Sequence, residues 1–344
     1  MLNKDSGIVV VGAGAIGSVT ASFLQLSGWN PEVVCKHQEI VDRAVNEGFH
    51  ITGVKGEHVV RLNAVKKISD LSGKKDLLLL ATRAFDCLEA AYDLIPFLKP
   101  SSILVSMQNG ICEDALGEIL GRKRVMGCVV GWAANNCGLG TVRVTLNGEF
   151  VIGNIDQKPD DNLQSVQRVI NTVAPTRISE NIIGELYSKL IINSCITSLG
   201  IIVGEDLGTM MANIRVRRLF LILLREAMDV ADAMMIKVAP VLGGKLDYYR
   251  FLSGRGTIAE LKRHAVMRFL GFKYRGIRSS TLRLVEQSRK TEVDYLNGYI
   301  VDKGRMKGID TPFNAAIVDM IKEIEEGKRK STRDNLDDAR FHYI

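Results

Sequence analysis

One stretch in the second half of the chain combines a potential proton donor with amide and hydroxyl groups. Lys189, Asn193 and Thr197 stand four residues apart, so they share one face of the helix predicted over 182–198. Apolar residues surround them, namely Leu190, Ile191, Ile192 and Ile196. Burial without partners is costly for a lysine, and desolvation would lower its pKa towards the range that suits acid catalysis. The alternative is a lysine whose amino group reaches solvent.

Two other polar positions could serve the same chemistry. Asn109 stands where a predicted strand ends, before Gly110, and its amide could bind a ribose hydroxyl or a catalytic side chain. The alternative is an ordinary turn asparagine. Glu292 and Asp294 belong to a helix predicted over 280–303. Glu292 could pair with Lys189 and bind a substrate hydroxyl, or both acids could form a solvated helix face.

A glycine-rich turn near the N-terminus predicts a nucleotide ligand. A buried Val/Ile strand leads into it, and a predicted helix follows it. The turn reads Gly12-Ala13-Gly14-Ala15-Ile16-Gly17. In such a unit the first glycine allows a tight turn, the second lets a pyrophosphate approach, and the third lets the helix pack on the strand. We therefore predict a dinucleotide site, the alternative being a glycine-rich turn without a nucleotide.

The end of the second strand favours NADP over NAD. An NAD site usually has an acid there that binds the ribose 2′-hydroxyl. This chain has Cys35-Lys36-His37-Gln38 instead, and Lys36 suits a 2′-phosphate. The alternative is a solvated loop lysine. Arg83 and Ala133 also follow the carboxyl ends of predicted strands, where ligands bind in open α/β sheets, and are further candidate cofactor contacts.

Composition is that of a soluble globular protein of about two domains. The 344 residues are 46% hydrophobic and 24% charged, with a net charge of +6 that fits an anionic cofactor and does not demand nucleic acid. Six scattered cysteines without metal-site spacing indicate a reducing compartment. The longest dense apolar run, 219–224, is far below the roughly 20 residues of a membrane span. We expect a cytoplasmic protein without a membrane or nucleic-acid partner and without a metal.

The elements that must position these residues change type along the chain. Residues 1–179 alternate strands and helices, which predicts a Rossmann-type doubly wound α/β sheet. We expect strand 141–146 to pair with 149–153 as its antiparallel edge. Residues 180–344 predict an all-helical domain, including a helix over 215–237 whose apolar faces suggest a homodimer. The charged tail, 323–344, predicts a terminal helix with a frayed end.

Together these pieces resemble the ketopantoate reductase (2-dehydropantoate 2-reductase) family over nearly the whole chain. The order and spacing of several motifs match, which is more specific than any one motif. They are Gly12-x-Gly14-x-x-Gly17, Met107-Gln108-Asn109-Gly110, Glu185-Leu186-Tyr187-x-Lys189-Leu190-x-x-Asn193, Ser279-Ser280 and Thr291-Glu292-x-Asp294-Tyr295-x-Asn297-Gly298.

The resemblance implies NADPH on the N-terminal domain and a 2-keto acid held between that domain and the helical one. It implies that Lys189 donates a proton to the ketone oxygen while hydride reaches the ketone carbon. Asn109 would orient Lys189 and the cofactor ribose. Asn193, Thr197, Ser280 and Glu292 would line the substrate, with Glu292 also touching the cofactor, and the product would be pantoate, a coenzyme A precursor.

Several departures from the family pattern leave the identity of the keto acid open. Arg83 replaces a usual lysine, Thr197 replaces an asparagine, and a further asparagine is lost near Leu207. Residues 281–284 differ from the family pattern, and 238–277 are longer than in compact members. Besides ketopantoate reduction we therefore keep two alternatives: a reductase of another 2-keto acid or of an opine-type imine, and a non-catalytic NADP-binding sensor.

Overall fold

The computed structural model describes residues 1–158, 160–241, 244–275 and 290–341. The chain divides into two compact units, which we describe one at a time. The first comprises Met1–Gln108 and Cys112–Leu186, and the second comprises Asn109–Ile111 and Tyr187–Ile344. Three residues that follow a strand of the first unit therefore belong to the second.

The first unit is built on an eight-stranded sheet in the order β12-β11-β8-β7-β6-β1-β2-β5. Its strands are β1 (Ile8–Val11), β2 (Glu32–Val34), β5 (Asn63–Val65), β6 (Lys75–Leu80), β7 (Leu98–Ser106), β8 (Val125–Val130), β11 (Phe150–Asn154) and β12 (Thr176–Ile178). The six strands from β5 to β8 run parallel, and their order reverses direction at β1. Such a reversal is where doubly wound sheets bind ligands, at the carboxyl ends of the strands.

Burial explains why these strands read as unbroken apolar runs. All four residues of β1 and the four leucines that end β6 are buried, as is usual for parallel strands whose faces are covered by helices. The helices of this unit are α1 (Ala15–Leu26), α2 (Gln38–Asp42), α3 (Cys87–Leu94), α4 (Glu113–Leu120) and α5 (Asp161–Ile170). Short 3-10 or π turns occupy Arg43–Glu47, Ile68–Asp70, Ala84–Asp86, Ile95–Phe97 and Arg122–Arg124.

A second sheet of four strands corrects one pairing that the sequence suggested. It has the order β4-β3-β10-β9, with β3 (Phe49–Gly53), β4 (His58–Val60), β9 (Ala133–Gly138) and β10 (Thr141–Leu146). The predicted pairing of 141–146 with 149–153 is wrong: β10 pairs with β3 and β9, whereas β11 pairs antiparallel with β8. Alternation in 141–146 did indicate a half-exposed strand, but it could not name the partner.

The second unit is helical, as predicted. Its helices are α6 (Ile182–Val203), which starts in the first unit, α7 (Leu207–Ala212), α8 (Ile214–Ala233), α9 (Tyr248–Leu252), α10 (Thr257–Lys273), α11 (Asn297–Lys307) and α12 (Pro312–Glu325). Of the predicted continuous helix 280–303, the residues from 290 onward are described, and they do not form one helix. A 3-10 turn, Val293–Tyr295, precedes α11, and Leu296 has a non-helical backbone (φ −105°, ψ −92°).

Two further expectations for this unit are corrected. Most apolar residues of α8, among them Leu219, Leu223 and Leu224, are buried inside the unit, and of its large apolar side chains only Ile214 and the half-buried Ile222 reach its surface, so α8 has no continuous exposed apolar face. The tail is not a frayed helix, because α12 ends at Glu325 and 3-10 turns follow at Arg333–Asp337 and Ala339–Phe341. Phe341 is buried and the turns return to the fold through ion pairs, since Arg340 contacts both Glu323 and Asp338.

Helix α6 is strongly apolar, and it contains the candidate site residues Lys189, Asn193 and Thr197. Within the described ranges it is the one helix long and apolar enough to cross a membrane, and 72% of its most apolar window is buried. That burial is typical of the core helix of a soluble domain. Cys195, on the same helix, is fully buried, which raises the pKa of its thiol to about 12 and keeps it protonated.

Candidate active site

The glycine turn after β1 has the geometry that the sequence predicted for each of its glycines. Gly12 has φ +106°, and a Cβ there would lie 2.7 Å from the carbonyl oxygen of Ala81. A Cβ on Gly17 would lie 1.8 Å from the carbonyl oxygen of Gly12, so only glycine lets α1 pack this closely. Gly14 differs, because no atom lies within 4 Å of the Cβ position. The turn therefore leaves open space at Gly14 and is tightly packed at the other two positions.

That open space faces the start of α1, where a phosphate would bind. Gly14 is the N-cap of α1, no side chain caps the helix, and its first turn contains no acid. Backbone N–H groups and the positive end of the helix dipole are thus available to an anion. Ala13, Ala15 and Ile16 complete the turn and are half-buried. These residues fit the pyrophosphate of a dinucleotide.

The groups beyond the ends of β2 and β6 are basic. Lys36 follows β2, its side chain is 77% exposed, and its Nζ lies 3.6 Å from Asp86. The only acid of β2, Glu32, is buried in an ion pair with Lys75 and is not available to a ribose. Arg83 follows β6 and is half-buried. Ala133 opens β9 of the smaller sheet and is also half-buried.

Gln108 connects the ends of strands β6 and β7. The sequence indicated it only as part of a motif. Its Nε2 donates to the carbonyl oxygen of Leu80 at 3.0 Å and to Thr82 Oγ1 at 3.2 Å, and its Oε1 accepts from Ser106 at 2.8 Å. Gln108 is buried, and these bonds fix the end of β7 to the end of β6. In the sequence, Gln108 could be noticed as a polar residue between a buried strand and Asn109. That position does not reveal its hydrogen-bond partners.

In the second unit one face of α6 is less buried than the rest. Lys189, Ile192, Asn193, Ile196 and Thr197 are all half-buried, whereas the residues on the other faces are buried. Their spacing is the predicted helical one, so the amino, amide and hydroxyl groups form a single stripe. The face can therefore accept a small polar ligand while an apolar core supports it.

Asn109 belongs to this same unit and contacts the stripe. Its Oδ1 accepts a long hydrogen bond of 3.5 Å from Asn193 Nδ2. The next residue, Gly110, has φ +92°, and a Cβ there would lie 2.7 Å from the carbonyl oxygen of Tyr295. The Asn109 turn is thus packed between α6 and the segment that carries Glu292.

Glu292 is buried at the start of that segment, not on a helix as predicted. Its carbonyl oxygen accepts from the N–H groups of Tyr295 and Leu296 at 3.0 and 3.1 Å, which closes the 3-10 turn. Asp294 points to the surface and pairs with Lys322 at 2.7 Å, which agrees with the solvated alternative for that acid. Ser280 and residues 281–284 lie outside the described residues.

The segment 238–277 also contacts α6, the helix that contains Lys189. Tyr248 of α9 is buried, and its hydroxyl donates to the carbonyl oxygen of Ser188 at 3.1 Å. This bond is made one residue before Lys189. Part of the additional length therefore supports α6.

The chain is similar to known proteins over most of its length. A family model described as ketopantoate reductase PanE/ApbA matches residues 8–157, and the model of the C-terminal part of the same family matches 181–325. The 2-dehydropantoate 2-reductase of Pyrococcus abyssi is 29% identical over 327 residues, covering 94% of this chain and 99% of that relative.

Solved structures show the same fold. A PanE/ApbA family ketopantoate reductase from Ralstonia eutropha superposes with a TM-score of 0.78 at 25% identity, covering 93% of this chain and 99% of that one. A ternary structure of D-mandelate dehydrogenase with NADH and anilino(oxo)acetate superposes with a TM-score of 0.79 at 20% identity, covering 93% and 98%.

Proposed function

The chain belongs to the ketopantoate reductase family, and on that premise we propose that it reduces 2-dehydropantoate to pantoate with NADPH. The family models match both halves of the chain, and curated relatives that span it almost completely are 2-dehydropantoate 2-reductases. The observation that carries the proposal is the stripe on α6, where Lys189 stands one helical turn before Asn193, which in turn contacts Asn109.

These residues divide the work of a ketone reduction. A bound nicotinamide cofactor supplies the hydride. Lys189 donates a proton from Nζ to the substrate's keto oxygen, which neutralises the charge that develops there. Asn193 and Asn109 orient the substrate and the lysine through their amides, and buried Glu292 binds a substrate hydroxyl. Thr197 and Ser280 complete the proposed substrate contacts.

NADP is the proposed form of the cofactor. Gly12 to Gly17 would hold its pyrophosphate, and Lys36 and Arg83 would bind its phosphate groups, with Ala133, Asn109 and Glu292 as further contacts. The absence of a free acid at the end of β2 supports this choice, because a carboxylate there would repel a 2′-phosphate.

Cofactor choice can be tested by binding alone. Fluorescence titration should give a Kd for NADPH that rises about tenfold in Lys36→Ala, the loss of one charge-assisted contact, with little change for NADH. Lys123→Ala removes an exposed lysine of the same unit and should alter neither Kd. Equal affinity of the unaltered protein for NADPH and NADH would remove the NADP assignment.

The reaction is tested by following the absorbance of NADPH at 340 nm with ketopantoate and a panel of other 2-keto acids. Rapid oxidation with ketopantoate supports the proposal. Oxidation with another acid alone would keep the mechanism and replace the substrate. NADPH binding without oxidation by any acid would favour the non-catalytic sensor.

A second candidate substrate class is another 2-keto acid. Thr197 lies on the half-buried face of α6 where the family pattern has an asparagine, so one amide contact is missing from the stripe. A threonine offers a methyl group and a single hydroxyl, which suits a less polar side chain on the keto acid. The substrate panel separates this candidate from ketopantoate.

We also propose a cytoplasmic homodimer. All six cysteines are free thiols, five of them buried, which is usual in a reducing compartment. The proposed dimer surface is the exposed apolar side of α10, in place of the α8 surface that the sequence suggested.

A further inference from the structure

We infer that Asn297 is a positioning residue of the proposed active site, locking the Glu292 segment and the Asn109 turn to the helix that carries Lys189. The inference rests on the function proposed above. Asn297 is the first residue of α11 and is completely buried. A buried amide must be fully hydrogen-bonded, and its partners show what it holds together.

Both ends of the Asn297 amide are bound to α6. Its Nδ2 donates to the carbonyl oxygen of Ser194 at 3.1 Å, and its Oδ1 accepts from the hydroxyl of Ser198. Ser194 and Ser198 each follow directly after a residue of the catalytic stripe, Asn193 and Thr197. Because donor and acceptor are both engaged, the amide has one orientation, and α11 cannot slide along α6 without breaking a bond.

A second anchor holds the amide from the opposite side. Asn297 Nδ2 also donates to Asn314 Oδ1 at 2.9 Å, and Asn314 Nδ2 donates to the carboxylate of Glu226 at 2.7 Å. Glu226 further accepts from the backbone N–H groups of Phe313 and Asn314, at 2.9 Å each. The network therefore ties α6 to α8 and to the start of α12, and it is closed to solvent.

The connection from Asn297 to the site residues is short. Asn297 stands five positions after Glu292, and the turn between them is closed by the two hydrogen bonds to the Glu292 carbonyl oxygen. The carbonyl oxygen of Tyr295, in the same turn, is the atom that leaves room only for a glycine at position 110. A displacement of Asn297 would thus move Glu292 and release the turn that carries Asn109.

A network of this kind also stabilises the fold, so the test has to separate position from stability. Ser198→Ala removes one hydrogen bond to Asn297 with little change in volume, and Asn297→Ser shortens the amide. Asn335→Ala is the matched control. Asn335 is likewise buried and donates at 2.8 Å to a carbonyl oxygen of α6, that of Ile202, at the end far from Lys189.

The first measurement is hydrogen exchange of the backbone, with melting temperatures for every variant. Ser198→Ala and Asn297→Ser should speed exchange in both 109–112 and 292–297, and Asn335→Ala should not, even at an equal loss of melting temperature. Unchanged exchange in these two segments would overturn the positioning role, whatever the protein catalyses.

The second measurement is steady-state kinetics with the keto acid that the panel identifies. We expect kcat to fall at least about tenfold in both variants while the Kd of NADPH stays within about twofold, because misplacement affects the reacting groups and not the nucleotide turn. Asn335→Ala should keep kcat. Rates that follow melting temperature alone in all three variants would overturn the inference.

These two measurements fail independently. Suppose that no keto acid of the panel supports NADPH oxidation by the unaltered protein, but the exchange pattern appears. Then the proposed function fails, and the coupling between Asn297 and the two segments is supported. If the protein is active and the exchange pattern is absent, the function stands and the positioning role is overturned.

Discussion

Lys189 is the residue on which the proposed chemistry depends. It stands half-buried on α6, one helical turn before Asn193, whose amide contacts Asn109, and its amino group can serve as a proton donor. Buried contacts stabilise the position of its helix, including the hydrogen bond from the Tyr248 hydroxyl to the carbonyl oxygen of Ser188. A fixed backbone is what a general acid requires, because proton transfer depends on distance.

Replacing Lys189 by alanine should lower kcat at least about 100-fold, the usual size of a lost general acid, with a smaller change in the Kd of NADPH. Steady-state kinetics and fluorescence titration measure the two effects separately. Lys307→Ala removes an exposed lysine from the same unit and serves as the control. Near-normal turnover in Lys189→Ala would exclude the residue from the mechanism.

Glu113 is a second residue whose environment has a measurable consequence. It lies in the first turn of α4 and is almost completely buried, so its carboxyl group is removed from water. Burial raises the pKa of this carboxyl to about 7. The folded state therefore keeps a proton that the unfolded state releases at lower pH.

The sign of the effect on stability follows. Because the pKa of Glu113 is raised in the folded state, its favourable contribution is complete below about pH 4.5 and is lost as pH rises to about 7, by an amount on the order of 3 kcal/mol. Glu113→Gln should remove this loss. Compared with the unaltered protein, the variant should therefore gain more free energy of unfolding at pH 8 than at pH 5. Urea denaturation at both pH values measures it.

Glu118→Gln is the control for that experiment, since Glu118 is exposed on the same helix. It should leave the pH dependence unchanged. An identical pH dependence in Glu113→Gln and the unaltered protein would show that Glu113 does not titrate in this range.

At the scale of elements, the turn between β1 and α1 separates packing from ligand binding. Gly14→Ala meets no atom within 4 Å and has an ordinary φ of −74°, so the fold should persist. The added methyl group occupies the phosphate position, and the Kd of NADPH should rise about tenfold or more. Gly17→Ala should instead prevent α1 from packing, since its Cβ would lie 1.8 Å from a carbonyl oxygen.

Circular dichroism melting and NADPH titration distinguish the two variants. Gly14→Ala should melt like the unaltered protein and bind weakly, whereas Gly17→Ala should lose melting temperature or folded yield. Normal NADPH affinity in Gly14→Ala would place the pyrophosphate elsewhere.

The elements also show where sequence patterns fail. The strand–turn–helix at the N-terminus was predictable because a buried parallel strand and its glycines are local signals. The helix over 280–303 was not, because Thr291 to Leu296 are shaped by tertiary contacts. Thr291 N–H donates to Glu325 of α12, and Asn297 is held by α6. Helical spacing does not record such contacts.

At the scale of the whole molecule, the homodimer stays a prediction, but on a new surface. Most apolar side chains of α8 are buried, whereas α10 presents apolar side chains that are largely exposed. These are Ile258 (72%), Leu261 (71%), Phe269 (64%) and Phe272 (66%). They follow one another along one side of the helix, and a stripe of this kind usually marks an interface.

Phe269→Ser with Phe272→Ser should convert a dimer into a monomer, because the two aromatic rings are the largest side chains of the stripe. Analytical ultracentrifugation at micromolar concentration measures the mass. Met306→Ser, at an isolated exposed methionine, is the control. A monomer before any substitution, or a dimer after both, would contradict this interface.

The sequence by itself determined the family, the Rossmann-type first half, the helical second half and the stripe of Lys189, Asn193 and Thr197. Each of these depends on local spacing or on buried apolar runs, which a single segment carries. The family and fold predictions are confirmed by the family models and solved structures. The site residues remain a proposal.

Only the tertiary structure decided which distant segments meet. The pairing of β11 with β8, the return of the tail, and the network from Glu226 through Asn314 to Asn297 all join residues far apart in the chain. Their partners depend on burial of the segments and on the hydrogen bonds that most buried polar groups form, and both are properties of the whole folded chain. For this reason the sequence showed Asn297 only as one residue of a motif, whereas the structure shows its hydrogen bonds to α6 and to Asn314.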